Sequence, residues 1–179
     1  MDTSTQRLDV RFRPMALADI PRVHEIDMLS FSMPWSERSY LFELTENDAS
    51  LILVAEASRL GMEVELVGMI VIWVILDEAH VATIATHPGF RGQGIGQQLL
   101  ARGLMAAYER GARLSYLEVR RGNLVAQTMY RRFGYQVVGE RPGYYQDNHE
   151  DALLMTLHQL QPEELQQVVN RFTHSQRIK

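Results

Sequence analysis

A mixed β-sheet flanked by helices is the fold this chain predicts. Short runs of alternating apolar and polar side chains imply strands, and the stretches between them carry helical spacing. One strand-like run passes into an amphipathic helix through a loop built from glycines, Arg91-Gly-Gln-Gly-Ile-Gly96. At 179 residues the chain suits one domain with a sizeable core, and its composition, 46% hydrophobic and 22% charged, is that of a soluble globular protein. A net charge of −4 argues against general nucleic-acid binding, which needs a surplus of Lys and Arg, and leaves a basic protein or an amine as a compatible partner. The lack of cysteine removes disulfides and thiolate metal sites. No signal-like apolar run opens the sequence and no stretch of about 18 apolar residues occurs, so a cytoplasmic protein without a membrane partner is expected.

Taken in order, Leu8–Arg13 alternates and reads as a first strand. Ile20, Val23, His24, Ile26, Asp27 and Phe31 recur near helical spacing behind Asp19 and Pro21, which predicts a helix through about Ser30. Pro34 and Trp35 interrupt it, and Ser36 is a ready N-cap for a second helix carrying Tyr40, Leu41 and Leu44. Leu51–Ala57, Val64–Leu76 and Ala79–Thr86 are β-like, the first two separated by a polar stretch with Gly61, and together they predict an antiparallel meander. After the glycine loop, Leu99, Leu100, Gly103, Leu104, Ala106 and Ala107 line a helix that Gly111 can end in a left-handed cap. Leu114–Val119 is strand-like, Leu124–Phe133 helical up to Gly134, and Tyr135–Val138 and Ala152–Leu157 supply two last strands. Pro162–Phe172 forms a further helix with Leu165, Val168, Val169 and Phe172 on one side. The expected division is a domain over residues 8–158 and a C-terminal helical extension over 159–179.

The glycine loop carries the first functional signal. Gly92, Gly94 and Gly96 lack the Cβ atoms that would block a close approach, so successive N–H groups can face a pyrophosphate while the helix dipole adds partial positive charge. A branched side chain at 94 is expected to fill the phosphate site. A Walker loop would need Gly-Lys-Ser/Thr, and Gly94-Ile95 and Gly96-Gln97 stand here instead. A dinucleotide fingerprint would place its third glycine at 97, which is Gln. The spacing that fits is Q/R-x-x-G-x-G/A, and through it the chain resembles the GNAT superfamily of acyl-coenzyme A-dependent N-acetyltransferases. The order of strand, two helices, three strands, helix, strand, helix and two strands agrees with the α+β fold that this resemblance implies. That fold is a mixed, mostly antiparallel central sheet flanked by helices, with acetyl-CoA in the cleft between the central strands.

Moving an acetyl group from a thioester to an amine requires a deprotonated amine, an oxyanion stabiliser and a proton for the departing thiolate. An α-amine, with a pKa of about 7.7–8.0, gives up its proton more readily than a lysine at about 10.4. With no cysteine there is no acyl-cysteine intermediate, so transfer is direct. Glu118 lies in Tyr116-Leu-Glu-Val-Arg120, where alternation puts Tyr116, Glu118 and Arg120 on one face. Catalytic base, partner of Arg120 or Arg121, and solvated carboxylate are all open readings of it. Tyr130 shares a helix side with Ala126 and Phe133, where an aromatic reads first as core packing, with a proton donor as the alternative. Asn123 fits an N-cap.

The segments Leu117-Glu-Val-Arg-Arg-Gly-Asn123, Met129-Tyr-Arg-Arg-Phe-Gly-Tyr135, Tyr144-Tyr-Gln-Asp-Asn-His-Glu-Asp-Ala-Leu-Leu-Met155 and Pro34-Trp-Ser-Glu37 resemble the RimI-type branch, the ribosomal-protein alanine N-acetyltransferases. The resemblance covers about Val10 to Leu157. It implies Glu118 as general base and Tyr130 as general acid. It further implies that Ile84, Ala85 and Thr86 bind the pantetheine arm, that Arg91, Gly92, Gln93, Gly94, Ile95, Gly96 and Gln97 hold the pyrophosphate, and that Asn123 touches the coenzyme. Trp35, Tyr144 and Tyr145 would face the acceptor, an N-terminal alanine of a small-subunit ribosomal protein; plain packing is the alternative for each. Ser58–Glu65 is longer than the pattern requires and the tail after Leu157 has no counterpart, and either could reshape the acceptor groove. His80, His87, His149 and His158 have no metal spacing, so no metal is expected, and His87 before Pro88 shapes a turn. Acetylation of a small amine or a lysine, and a non-catalytic acyl-coenzyme A-binding module, are the competing functions.

Overall fold

The computed structural model describes residues 8–59 and 63–177; Gly61 and the first seven residues lie outside them. Seven strands form one sheet in the order β1-β2-β3-β4-β5-β7-β6. β1 (Leu8–Pro14), β2 (Ser50–Arg59), β3 (Glu65–Ile75) and β4 (Glu78–Thr86) are the antiparallel meander that the alternation predicts. β5 (Leu114–Arg120) joins β4 in parallel, and β7 (Glu150–Leu157) and β6 (Gln136–Tyr145) complete the sheet antiparallel to their neighbours.

The apolar run of β3 is buried on both faces, as a central strand should be. Leu66, Met69 and Val71 pack with α1 (Ile20–Met28) and Tyr40 of α2 (Glu37–Thr45). Val67, Ile70 and Ile72 pack with α3 (Ile95–Glu109), α4 (Leu124–Arg132) and α5 (Pro162–Arg177). α3 lies so close to β3 that a Cβ at Gly103 would come within 2.8 Å of the Ile72 side chain. Ser36 caps α2 through Ser39 N at 3.1 Å, and Gly111 and Gly134 take positive φ behind α3 and α4, as predicted.

Several boundaries differ from expectation. β2 and β7 are each two or three residues longer, and α5 continues past Phe172 to Arg177. α1 ends at Met28, two residues early. β6 runs to Tyr145, far beyond Val138, because it is the exposed edge of the sheet and needs no apolar alternation. Gly139, Pro142 and Gly143 hide it further in the sequence, since proline and glycine read as loop yet are tolerated on an edge.

The feature that positions the site is the parting of β4 from β5. They pair only from Glu78↔Leu114 to Val81↔Leu117. Beyond that β4 stays with β3 as far as Gly68↔Thr86, and β5 stays with β7 as far as Arg120↔Ala152. A bulge at the parting point moves the register from Val71↔Thr83 to Ile72↔Val81 and leaves Ala82 unmatched. The sheet therefore opens into two halves with a wedge of unpaired backbone between them.

Candidate active site

The wedge is a cavity of about 820 Å³ bounded by residues 81–86 of β4, 117–120 of β5 and one side of α4. Ile84, Ala85 and Thr86 all line it, so the unpaired edge of β4 opens into the cavity. Gly96 and Arg91 close the end near α3. Arg91 is tied by Nε to the Thr86 carbonyl at 3.1 Å and by Nη2 to Ser30 Oγ at 3.1 Å, which joins the end of β4 to the loop after α1.

Gly92 (φ 76°) and Gly94 (φ 80°) adopt left-handed backbone, and Gly94 is the N-cap of α3 without any side-chain cap. No described residue accepts a hydrogen bond from the amides of residues 92–97. A turn of unpaired N–H groups at the positive end of a fifteen-residue helix suits a pyrophosphate, so the residues present fit a coenzyme A. The reason for Gly94 differs from the one expected. Its Cβ would point away from the cavity at the Phe172 ring of α5, 3.2 Å distant; the Cβ that would face the cleft is that of Gly96, toward Thr86 and Met129. Ile95 contributes only backbone, its side chain being core, while the side chains of Gln93 and Gln97 are not part of the cavity wall.

Glu118 faces the cleft from β5, as the alternation predicts. Neither expected arginine holds it: Arg120 pairs with Asp147 and Glu150, and Arg121 with Glu140 and Asp151. Arg141 of β6 does, at 2.6 Å. The same carboxylate raises the Tyr144 phenol, which hydrogen-bonds to it. Across the cleft, Tyr130 is 5% exposed and packs on Tyr135 at 5.8 Å, so the packing reading holds, yet its side chain also lines the cavity. Burial first, then Tyr145 nearby, pushes its phenol well above the ordinary tyrosine value, so it stays protonated. Gln127 Nε2 fixes the β5–α4 turn through the Arg120 and Arg121 carbonyls, at 3.1 and 2.7 Å. Asn123 caps α4 through Ala126 N at 3.1 Å and also borders the cavity.

Trp35 stacks against Trp73 at 6.2 Å and leans on Tyr40 at 5.5 Å, so it seals the second core while lining the cleft. Its backbone is clamped on both sides: Trp35 N donates to Asp27 Oδ2 at 2.6 Å, and His24 Nδ1 donates to the Trp35 carbonyl at 2.8 Å. Asp27 is 1% exposed, and burial pushes its carboxyl up while the Trp35 amide pulls the other way. Tyr144 and Tyr145 are the last residues of β6, not loop; Tyr145 lines the cavity and Tyr144 packs edge-on against it at 5.3 Å. Arg120 lies 3.7 Å from the Tyr145 ring centroid and reaches both Asp147 and Ser32, so the segments after α1 and after β6 are bridged over the cleft.

Arg141, Asp27 and this bridge escaped the sequence reading. A carboxylate at helical spacing among Ile20, Val23 and Ile26 was the available signal for Asp27. Nothing in the sequence ties Arg141 to Glu118, because they meet only through β6 pairing with β7 beside β5. Gly89 N donates to His87 Nδ1 at 3.2 Å, which is the turn expected there. Among the described residues no three His, Asp or Glu side chains are grouped to hold a metal, and no helix is long and apolar enough to cross a membrane.

Comparison with known proteins agrees with this architecture. Residues 20–135 match the Acetyltransferase (GNAT) family. A Bacillus subtilis protein provisionally named [ribosomal protein bS18]-alanine N-acetyltransferase is 41% identical over 143 residues, spanning 80% of this chain and 91% of its own. The [ribosomal protein bS18]-alanine N-acetyltransferase of Salmonella typhimurium is 30% identical over 80% of this chain and 93% of its own. The crystal structure of the ribosomal-protein-S18-alanine N-acetyltransferase from Escherichia coli superimposes with a TM-score of 0.73 at 27% identity, covering 83% of this chain and 93% of that one. The chain belongs to the GNAT family of acetyltransferases and is an N-acetyltransferase enzyme.

Proposed function

We propose that the chain transfers the acetyl group of acetyl-CoA to the free α-amine of a protein whose first residue is alanine, the acceptor being a ribosomal protein of the S18 class. The observation that carries this reading is the pairing of Glu118 and Tyr130 across the cleft where β4 leaves β5. In this reading residues 8–158 are the catalytic domain, 159–179 are a C-terminal extension that contains α5, and the reaction is cytoplasmic.

Bound coenzyme supplies the thioester and a thiolate leaving group. The unpaired backbone at Ala82–Thr86 aligns the pantetheine arm as an added strand would, and its N–H groups polarise the thioester carbonyl. Glu118 takes a proton from the acceptor ammonium, directly or through water, so that the nitrogen lone pair can attack the carbonyl carbon. The C–N bond forms, the nitrogen releases its second proton to solvent, the C–S bond breaks, and the Tyr130 phenol gives its proton to the departing sulfur; the proton held by Glu118 leaves to solvent, which also restores the phenol. Tyr145 and Trp35 form the walls on the acceptor side.

A competition experiment tests the acceptor. Two peptides of one sequence, one with a free N-terminal alanine and the other N-terminally blocked with an internal lysine, compete for the enzyme with acetyl-CoA, and mass spectrometry reads the ratio of kcat/KM. The α-amine peptide is expected to win by at least about tenfold, because its amine needs less basicity to deprotonate. Faster modification of the lysine would replace this proposal with side-chain acetylation on the same fold.

A further inference from the structure

Beside the acceptor wall lies a second cavity, about 440 Å³, which α2 and β3 form together with Trp35. Glu43 lines it, with only 9% of its surface exposed. Its Oε2 accepts from Trp73 Nε1 at 2.9 Å and from Asn47 Nδ2 at 2.8 Å, while no described residue pairs with Oε1 and none forms an ion pair with this carboxylate. Anchoring α2 to β3 does not explain a charge. A glutamine would accept from the same two donors, so the structural tie accounts for Oε2 and leaves Oε1 for a donor entering the cavity. The indoles of Trp35 and Trp73, nearly parallel at 17°, form an aromatic wall in the same cavity. A nearly buried anion next to stacked indoles is the chemistry that receives a guanidinium or ammonium group.

Trp35 borders both this cavity and the cleft. A chain whose amine sits at Glu118 and which leaves past Trp35 therefore runs into the second cavity. We infer that this cavity is an acceptor subsite for a basic side chain, arginine above all, a few residues beyond the acetylated amine. The inference rests on the N-terminal reading above and adds to it a second recognition point distant from the chemistry. Arg38, which lines the cavity without an ion-pair partner among the described residues, sets a threshold by competing for the same carboxylate.

The test uses alanine-initiated peptides with an otherwise uncharged sequence, in which one arginine, citrulline or norleucine is moved through positions two to eight. At saturating acetyl-CoA, kcat/KM is expected to favour arginine over citrulline by about tenfold within a narrow window of positions, the effect of one charge-assisted contact with an aromatic face. In Glu43→Gln that ratio falls toward one, and in Arg38→Ala it rises. A flat profile overturns the subsite, and so does norleucine matching arginine, which would mark the cavity as apolar. Binding is read independently of turnover, because Trp35 and Trp73 are the two tryptophans of the chain. Already-acetylated arginine peptides should change tryptophan emission at concentrations about tenfold below their citrulline counterparts, and equal titration curves count against the subsite. Should only blocked lysine peptides be acetylated, the N-terminal reading fails while the titration still decides the subsite. The wild-type comparisons decide it as well if Glu43→Gln does not fold.

Discussion

Arg141 of the exposed edge strand holds Glu118 at 2.6 Å, so the proposed base is oriented before any acceptor arrives. Glu118→Gln keeps the size and loses the basicity; kcat at neutral pH is expected to fall by about 100-fold or more, with acetyl-CoA affinity by calorimetry nearly unchanged. Turnover near wild type between about pH 6 and 9 would remove Glu118 from the mechanism. Asp27 supports a second prediction at this scale. Burial holds its folded-state pKa above the ordinary value, so the stability it contributes is complete at low pH and is lost as pH rises through that folded value. An ionised Asp27 therefore weakens the fold at neutral pH, whereas an asparagine oxygen could still accept from Trp35 N. Asp27→Asn is expected to raise the melting temperature at about pH 7, with the gain shrinking toward about pH 4 where both side chains are neutral. A lower melting temperature at neutral pH would show that the charged hydrogen bond to Trp35 outweighs desolvation.

Among the elements, those with one buried stripe were legible in the sequence. The meander, the caps at Ser36 and Gly111, and the inward side of α5 follow from periodicity, because burial imposes it. β6 was cut short because an edge strand is under no such constraint. The glycine turn before α3 is visible in the sequence, whereas the proximity of Gly94 to Phe172 is not, because it joins residues far apart in the chain. Gly94→Ala should weaken both folding and acetyl-CoA binding: a left-handed alanine costs about 1–2 kcal/mol, and its Cβ meets the Phe172 ring at 3.2 Å. Phe172→Ala placed in that background should return part of the lost affinity, since the clash disappears and only the backbone strain persists. Strictly additive losses in this double-mutant cycle would show that the ring does not limit the loop.

At the scale of the whole molecule, the proposed reaction assigns two recognition tasks to one open cleft. Gly96 and Arg91 line the part assigned to the coenzyme, and Trp35 and Tyr145 the part assigned to the acceptor. α5 belongs with the former. Gln98 Nε2 of α3 donates to the Val168 carbonyl at 2.8 Å, Leu165 and Val169 are buried, and Phe172 packs edge-on against Phe12 at 6.2 Å. The tail was open to a role in the acceptor groove on sequence grounds, whereas these contacts lie behind the glycine loop. Truncation after Gln161 would expose the faces that Leu165 and Val169 cover, at about 1.5–3 kcal/mol for each side chain. The melting temperature should drop by on the order of 10 °C. KM for acetyl-CoA should rise as the N-terminus of α3 loses its support, and the preference for an N-terminal alanine over a lysine should persist in what remains folded. A truncated enzyme with unchanged KM for acetyl-CoA and a reversed acceptor preference would place the helix on the acceptor side after all. At equal acetyl-CoA concentration the ligand should raise the melting temperature of the truncated enzyme less than that of the full chain, because stabilisation by mass action follows the logarithm of concentration over Kd and a weakened loop has the larger Kd.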